Sequence, residues 1–156
     1  MLQLTAFEFI VRAIPEAFII IFAGYILSNK ELNIKRYLIS SILLAISTFF
    51  IRMLPINYGV HTILSIIIQI ILLVYISKID MILAMKSSII LTICLFIVEL
   101  LNMLVLNIIL KEKLESIMIN PIPKTIYGLP SLFGFAFIIF GYYYLRKKGK
   151  SKNDKN

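Results

Sequence analysis

The chain carries one cysteine, one histidine and eight acidic residues against sixteen basic ones. A lone Cys94 excludes an intrachain disulfide and a CxxC metal or redox pair. A lone His61 excludes the H-E-x-x-H helix of a metalloprotease and leaves no cluster of metal ligands. Neither a metal nor a cofactor is therefore expected. The N-terminus has no basic n-region and offers Glu8 before Arg12, so its first apolar stretch is expected to stay as a membrane span rather than leave as a signal peptide. There is no lipidation motif, no internal repeat, and no low-complexity run outside the C-terminal tail. What the chain has in excess is apolar surface. Hydrophobic residues make up 60% of it, with a mean hydropathy of +0.96, where soluble domains average about 45–50%. The excess lies in long blocks, and too little polar sequence remains for a separate soluble domain. This reads as an integral membrane protein.

A span takes about 20 apolar residues. The blocks predict an all-α, polytopic membrane helix bundle over residues 1–146, with five spans at 5–28, 37–54, 59–78, 81–110 and 126–146, and a basic tail at 147–156. The second and third spans are separated by a tight reversal, with Pro55 and Gly59 as its hairpin residues: proline cannot continue the helical ladder and glycine relieves the backbone. The fourth block would be about 45 Å long as a helix, longer than the ~30 Å hydrocarbon core, so it must tilt, kink or protrude. Basic residues set the orientation. Lys30, Lys35, Arg36, Lys78, Lys86 and the six of the tail put eleven of sixteen on one side; Arg12, Arg52, Lys111, Lys113 and Lys124 lie on the other. The expected protein is a multi-pass protein of the cell membrane with its N-terminus outside and its tail in the cytoplasm, against the anionic lipid of the bilayer. No folded module presents the tail to nucleic acid, which is not an expected partner.

The polar residues of the spans fall in stripes. At 100° per residue, Glu8, Arg12 and Glu16 share an arc of the first helix. Ser41, Thr48 and Arg52 share a face of the second, His61, Ser65 and Gln69 of the third, and Ser88, Thr92, Glu99 and Asn102 of the fourth, with Cys94 off that arc. A charge facing lipid costs at least ~2.5–3.5 kcal/mol, so the stripes should turn toward one another. The ionisable groups gather in the outer half, where Glu16 and Glu99 can pair with Arg12 and Arg52. Arg12, Glu16, Arg52, His61, Glu99 and Asn102 are the candidate pocket residues. Two readings stand: a ligand pocket, or ionic pairs that only fix helix packing and register. As a lone histidine at a helix start, His61 also fits an interfacial hydrogen-bonding role. Gly134 and Gly141, with Ser131, are expected to let helices approach closely, and Tyr142, Tyr143 and Tyr144 to form an interfacial belt.

Four segments carry a family resemblance: AIPEA (13–17), RMLPINYGVHT (52–62), the helix-four Glu99, and NPIPKTIYGLPS (120–131). In order and spacing they resemble the multi-span N-terminal sensor region of Gram-positive, clostridial histidine kinases with a GHKL-type ATPase domain, and small stand-alone membrane proteins of that pattern. The most specific element is R-x-L-P-x-x-x-G-x-H-T, matched by Arg52, Leu54, Pro55, Gly59, His61 and Thr62. The likeness lacks the dimerisation helix and ATPase domain, so it implies no kinase activity. It implies a sensing or regulatory module that works through a partner, such as a histidine kinase or another membrane protein. The alternative is a substrate-binding membrane component of a transporter. An enzyme is not expected: a thiol protease would need Cys94 beside His61 with a third group to orient the imidazole, and Cys94 lies off the polar stripe.

Overall fold

A computed structural model of the chain describes residues 6–54, 58–110 and 121–153. Among these residues there are helices and no strands. The first helix, α1, is one rod in three parts: an α-helical turn Ala6–Glu8, a π-helical turn Phe9–Ala13, and an α-helix Ile14–Leu27. The widened turn has a local cause. Pro15 has no N–H to return to the carbonyl four residues back, and its ring crowds that carbonyl. Immediately before it, the Ile14 N–H bonds to the Phe9 carbonyl, five residues back, which is the π pattern.

Helix α2 spans Ile34–Met53. It starts where the Asn33 side chain accepts the Arg36 N–H at 3.2 Å, an N-cap bond. It stops at Leu54, whose backbone is extended (ψ 139°), as expected for the residue before a proline. Helix α3 spans Tyr58–Tyr75, shorter than the expected 59–78, because the chain turns at Lys78, which sits at φ 56°. Helix α4, Met81–Leu110, has the expected bounds. Its start is set by Asp80, whose carboxylate accepts the N–H groups of Ile82 at 3.0 Å and Leu83 at 3.4 Å. Helix α5 spans Pro121–Asn153 and so extends beyond the expected 126–146 at both ends. Pro121 suits a first helical position, which needs no N–H donor. The helix continues through Pro130; just before it, the Tyr127 carbonyl takes the Asn102 amide at 2.9 Å and the Gly128 carbonyl takes the Ser131 hydroxyl at 2.6 Å. The first part of the basic tail, through Asn153, is a continuation of α5.

The described helices form a bundle around α1, which packs on all four others, while α2, α3, α4 and α5 each pack on the next. In a membrane-length window, 44% of α1 is buried against 11% of α4, so α1 is central and α4 peripheral. Four helices are long and apolar enough to cross a membrane: Phe9–Leu27, Ile34–Met53, Met81–Leu110 and Ile122–Lys148. Helix α3 is apolar too but shorter, Gly59–Tyr75. Exposed side chains such as Phe133, Phe137, Ile108 and Ile109 make the outer surface as apolar as the interior, the pattern of helices solvated by lipid. Inside, one core cluster joins Ala17, Ile21 and Tyr25 of α1 to Leu44, Ala45, Leu72, Leu73 and Ala84. A second joins Ala23 and Ile26 to Leu91, Phe135 and Ile139. Gly24 packs tightly against the first: a Cβ there would stand 2.9 Å from Leu73 Cδ2, so the leucine would have to shift, and its absence favours close approach of α1 and α3.

Candidate functional site

The charged residues of the spans meet at the end of the bundle where α1 begins. Arg12 of α1 is ion-paired with Glu99 of α4, Nη2 to Oε1. Its Nε also stands 3.9 Å from Glu16 Oε2, one turn along α1. Glu16 Oε1 in turn stands 4.0 Å from Arg52 Nη2 at the end of α2. Glu8, at the start of α1, pairs with Lys124 Nζ of α5 at 3.6 Å. Three acids and three bases thus join four helices, and their formal charges cancel. Burial grades them. The side chains of Glu8 and Glu16 are 5% and 9% exposed, and that of Arg12 15%; those of Arg52 and Glu99 reach 31% and 35%.

Arg12 is the hub, and two features place it. The π turn contains it, and Gly128 of α5 makes room for it: a Cβ on Gly128 would stand 2.9 Å from Arg12 Nη1. The guanidinium therefore lies against the α5 backbone while it reaches across to α4. Next to it, Asn102 donates to the Tyr127 carbonyl, which ties α4 to α5 one turn from Glu99.

Of the sequence-derived candidates, Arg12, Glu16, Arg52 and Glu99 are connected directly. Asn102 belongs to the same region through α5. His61 lies half-buried in the first turn of α3. Pro55 is outside the described residues. Gly59 is helical, within the first turn of α3, with no positive φ, and a Cβ there would meet nothing within 4 Å; neither backbone nor packing demands a glycine at that point. Gly134 is a close-approach site, 3.2 Å from Val98 Cγ1 by the same measure, whereas Gly141 meets nothing within 4 Å.

Parts of two of the polar stripes serve their own helices. The Ser41 hydroxyl bonds to the Tyr37 carbonyl at 2.8 Å, and Thr92 to that of Ser88 at 2.9 Å, the usual i−4 return bond of such residues. Cys94 packs, partly buried, against the second core cluster. Among the described residues no group of three His, Cys, Asp or Glu side chains is placed to hold a metal ion. An open apolar groove of about 410 Å³ lies between α2 and α3, lined by Ser47, Phe50, Ile51, Met53, Leu54 and Ile68; it presents no charged group and is not the polar site.

Lys124 and Gly128 do not stand out in the sequence. Lys124 falls outside the expected fifth span, and a glycine opposite an arginine has no local signature. Glu8 shares the stripe of Arg12 and Glu16, and that i, i+4 ladder was the signal for it. A comparison with protein families, curated proteins and solved structures finds no match to the chain.

Proposed function

We propose that the chain is a small, multi-pass protein of the cell membrane that acts as a sensing or regulatory module, with its polar site in the outer half of the bilayer, and that it passes its state to a partner protein. The observation that carries this reading is the neutral network of Glu8, Arg12, Glu16, Arg52, Glu99 and Lys124, drawn from four helices. Intramembrane ionisable groups are costly and are usually retained for a task. Three of its four pairs join different helices, so a change at one charge bears on how those helices sit against one another. The segments behind the sensor-region resemblance support it too. AIPEA contributes Glu16, RMLPINYGVHT contributes Arg52, and NPIPKTIYGLPS contributes Lys124 and Gly128, so segments far apart in sequence converge on one set of contacts. The orientation follows from the eleven-to-five division of basic residues.

The test compares a strain lacking the gene with the same strain complemented by the native chain or by Glu99→Gln. Transcript profiles and uptake of labelled small molecules are measured side by side. A regulatory module gives a transcriptional response that native protein restores and Glu99→Gln does not. Loss of uptake with unchanged transcripts refutes this function and assigns the chain to a transporter.

A further inference from the structure

Away from the ion pairs, toward the opposite end of the bundle, three buried polar atoms lie on three helices that pack against one another. Tyr25 of α1, Gln69 of α3 and Ser88 of α4 are 1%, 4% and 0% exposed. Tyr25 Oη, Gln69 Nε2 and Ser88 Oγ have no hydrogen-bond partner among the described residues, and neither has Ser28 Oγ just past the end of α1. Helices α1, α3 and α4 are in mutual contact. Folded chains leave few buried polar atoms bare, and three around one core call for a common partner.

Their positions agree. Gln69 lies six residues before the end of α3 at Tyr75, and Ser88 seven residues after the start of α4 at Met81. At 1.5 Å per residue both sit roughly 9–11 Å from the same end of the bundle. Tyr25 lies nearer that end, two residues before Leu27, but a helical side chain leans toward its own N-terminus. That lean carries its hydroxyl back toward the level of the other two. The packing gives the same result by another route. Tyr25, Leu72, Leu73 and Ala84 share one core cluster. Gln69 is one turn from Leu73 and Ser88 one turn from Ala84, each on the side toward which the tyrosine leans.

We propose that Tyr25, Gln69 and Ser88 form a binding site for an internal water that bridges α1, α3 and α4. The chemistry of the three atoms selects this ligand. All are neutral. The amide nitrogen can only donate, and each hydroxyl can donate or accept. A water accepts from the Gln69 amide and from one hydroxyl and donates to the other, three bonds in all, the usual number for a buried water. A metal cation is disfavoured because the amide presents hydrogens and no carboxylate joins the set.

The experiment uses the full chain in detergent micelles. Hydroxyl-radical footprinting is read at Tyr25, and thermal unfolding is measured for Tyr25→Phe, Gln69→Leu, Ser88→Ala and the Tyr25→Phe/Ser88→Ala double variant. A water at the site generates radicals in place, so Tyr25 is modified although it is only 1% exposed. Each single variant loses a bond to the water and lowers Tm by about 2–4 °C, and the double variant loses less than the sum because both groups share one partner. An unmodified Tyr25 overturns the proposal, and for any variant that fails to fold this footprint of the native chain decides alone. A rise in Tm for Tyr25→Phe or Gln69→Leu overturns it as well, since that is the response to removing a bare polar atom. A Tm that climbs with added Na⁺ or K⁺, and does so less in Ser88→Ala, assigns the site to a cation and also refutes it.

Discussion

Removing Arg12 should unsettle the bundle more than removing Arg52, and the partner through which each loss can be relieved should differ. Arg12 pairs with Glu99 across α1 and α4 and stands 3.9 Å from Glu16, so its loss strips two carboxylates of a cation. Breaking a buried pair costs about 3–5 kcal/mol. The Glu99 side chain is 35% exposed, which softens the penalty to about 2–3 kcal/mol. Arg52 stands 4.0 Å from Glu16 and its side chain is 31% exposed. Two charges at that separation interact by about 4 kcal/mol at an effective dielectric near 20, and screening at the helix end reduces this to about 1 kcal/mol. The assay is a set of double-mutant cycles on thermal unfolding in detergent, with Arg12→Ala and Arg52→Ala each combined with Glu16→Gln and Glu99→Gln. Arg12→Ala should lower Tm by about 5–10 °C, and Glu99→Gln should recover a large part of that loss. Arg52→Ala should couple to Glu16→Gln by about 1 kcal/mol and to Glu99→Gln by less than about 0.5 kcal/mol. Stronger coupling of Arg52 to Glu99 than to Glu16, or additivity between Arg12 and Glu99, would refute the arrangement of pairs described above.

Gly128→Ala places a methyl group 2.9 Å from Arg12 Nη1 and should cost about 1 kcal/mol; the cost should vanish in an Arg12→Ala background, and its persistence there would show that Gly128 does not serve Arg12. Gly24→Ala drives a Cβ into Leu73 and should lower stability by about 1–3 kcal/mol, whereas Gly59→Ala, in open space on a helix, should be neutral or stabilising by up to about 1 kcal/mol; the reverse order in thermal melts would contradict the helix packing. Cys94→Ala and Cys94→Ser should leave membrane levels and phenotype nearly unchanged, and loss of phenotype at normal protein level would revive a thiol role. A reporter fused after Asn156 should behave as cytoplasmic; activity of an exported-type reporter at that position would invert the orientation.

The existence and order of the helices are legible in the sequence because each rests on a local cause. Long apolar blocks make the spans, Asn33 and Asp80 cap α2 and α4, and Pro55 forces the preceding residue out of the helix. The ends that misled have an ambiguous cause or none. Pro121 opens α5, but proline reads equally as a residue that breaks a helix, and the left-handed Lys78 that follows α3 is not a residue type associated with that conformation. The gathering of charge is legible as well, since lipid leaves few places for it.

The pairing within that gathering is not legible, and α1 shows why. A constant 100° per residue puts Glu8, Arg12 and Glu16 on one arc, as though they shared one neighbour. The π turn Phe9–Ala13 breaks that phase, and a central helix has neighbours on every side. The three residues therefore fan out, Glu8 to α5, Arg12 to α4 and Glu16 to α2. A stripe tells which helix carries charge but not which helix receives it, because the receiver depends on where each side chain ends, several ångströms from its Cα. The same limit applies to Ser41 and Thr92, whose hydroxyls turn back to their own backbone although their positions match residues that reach across. Proline fixes the phase of α1, and glycine fixes the room beside Arg12. One proline at 15 and one glycine at 128 thus shape a network whose charged members, Lys124 apart, all stand out in the sequence.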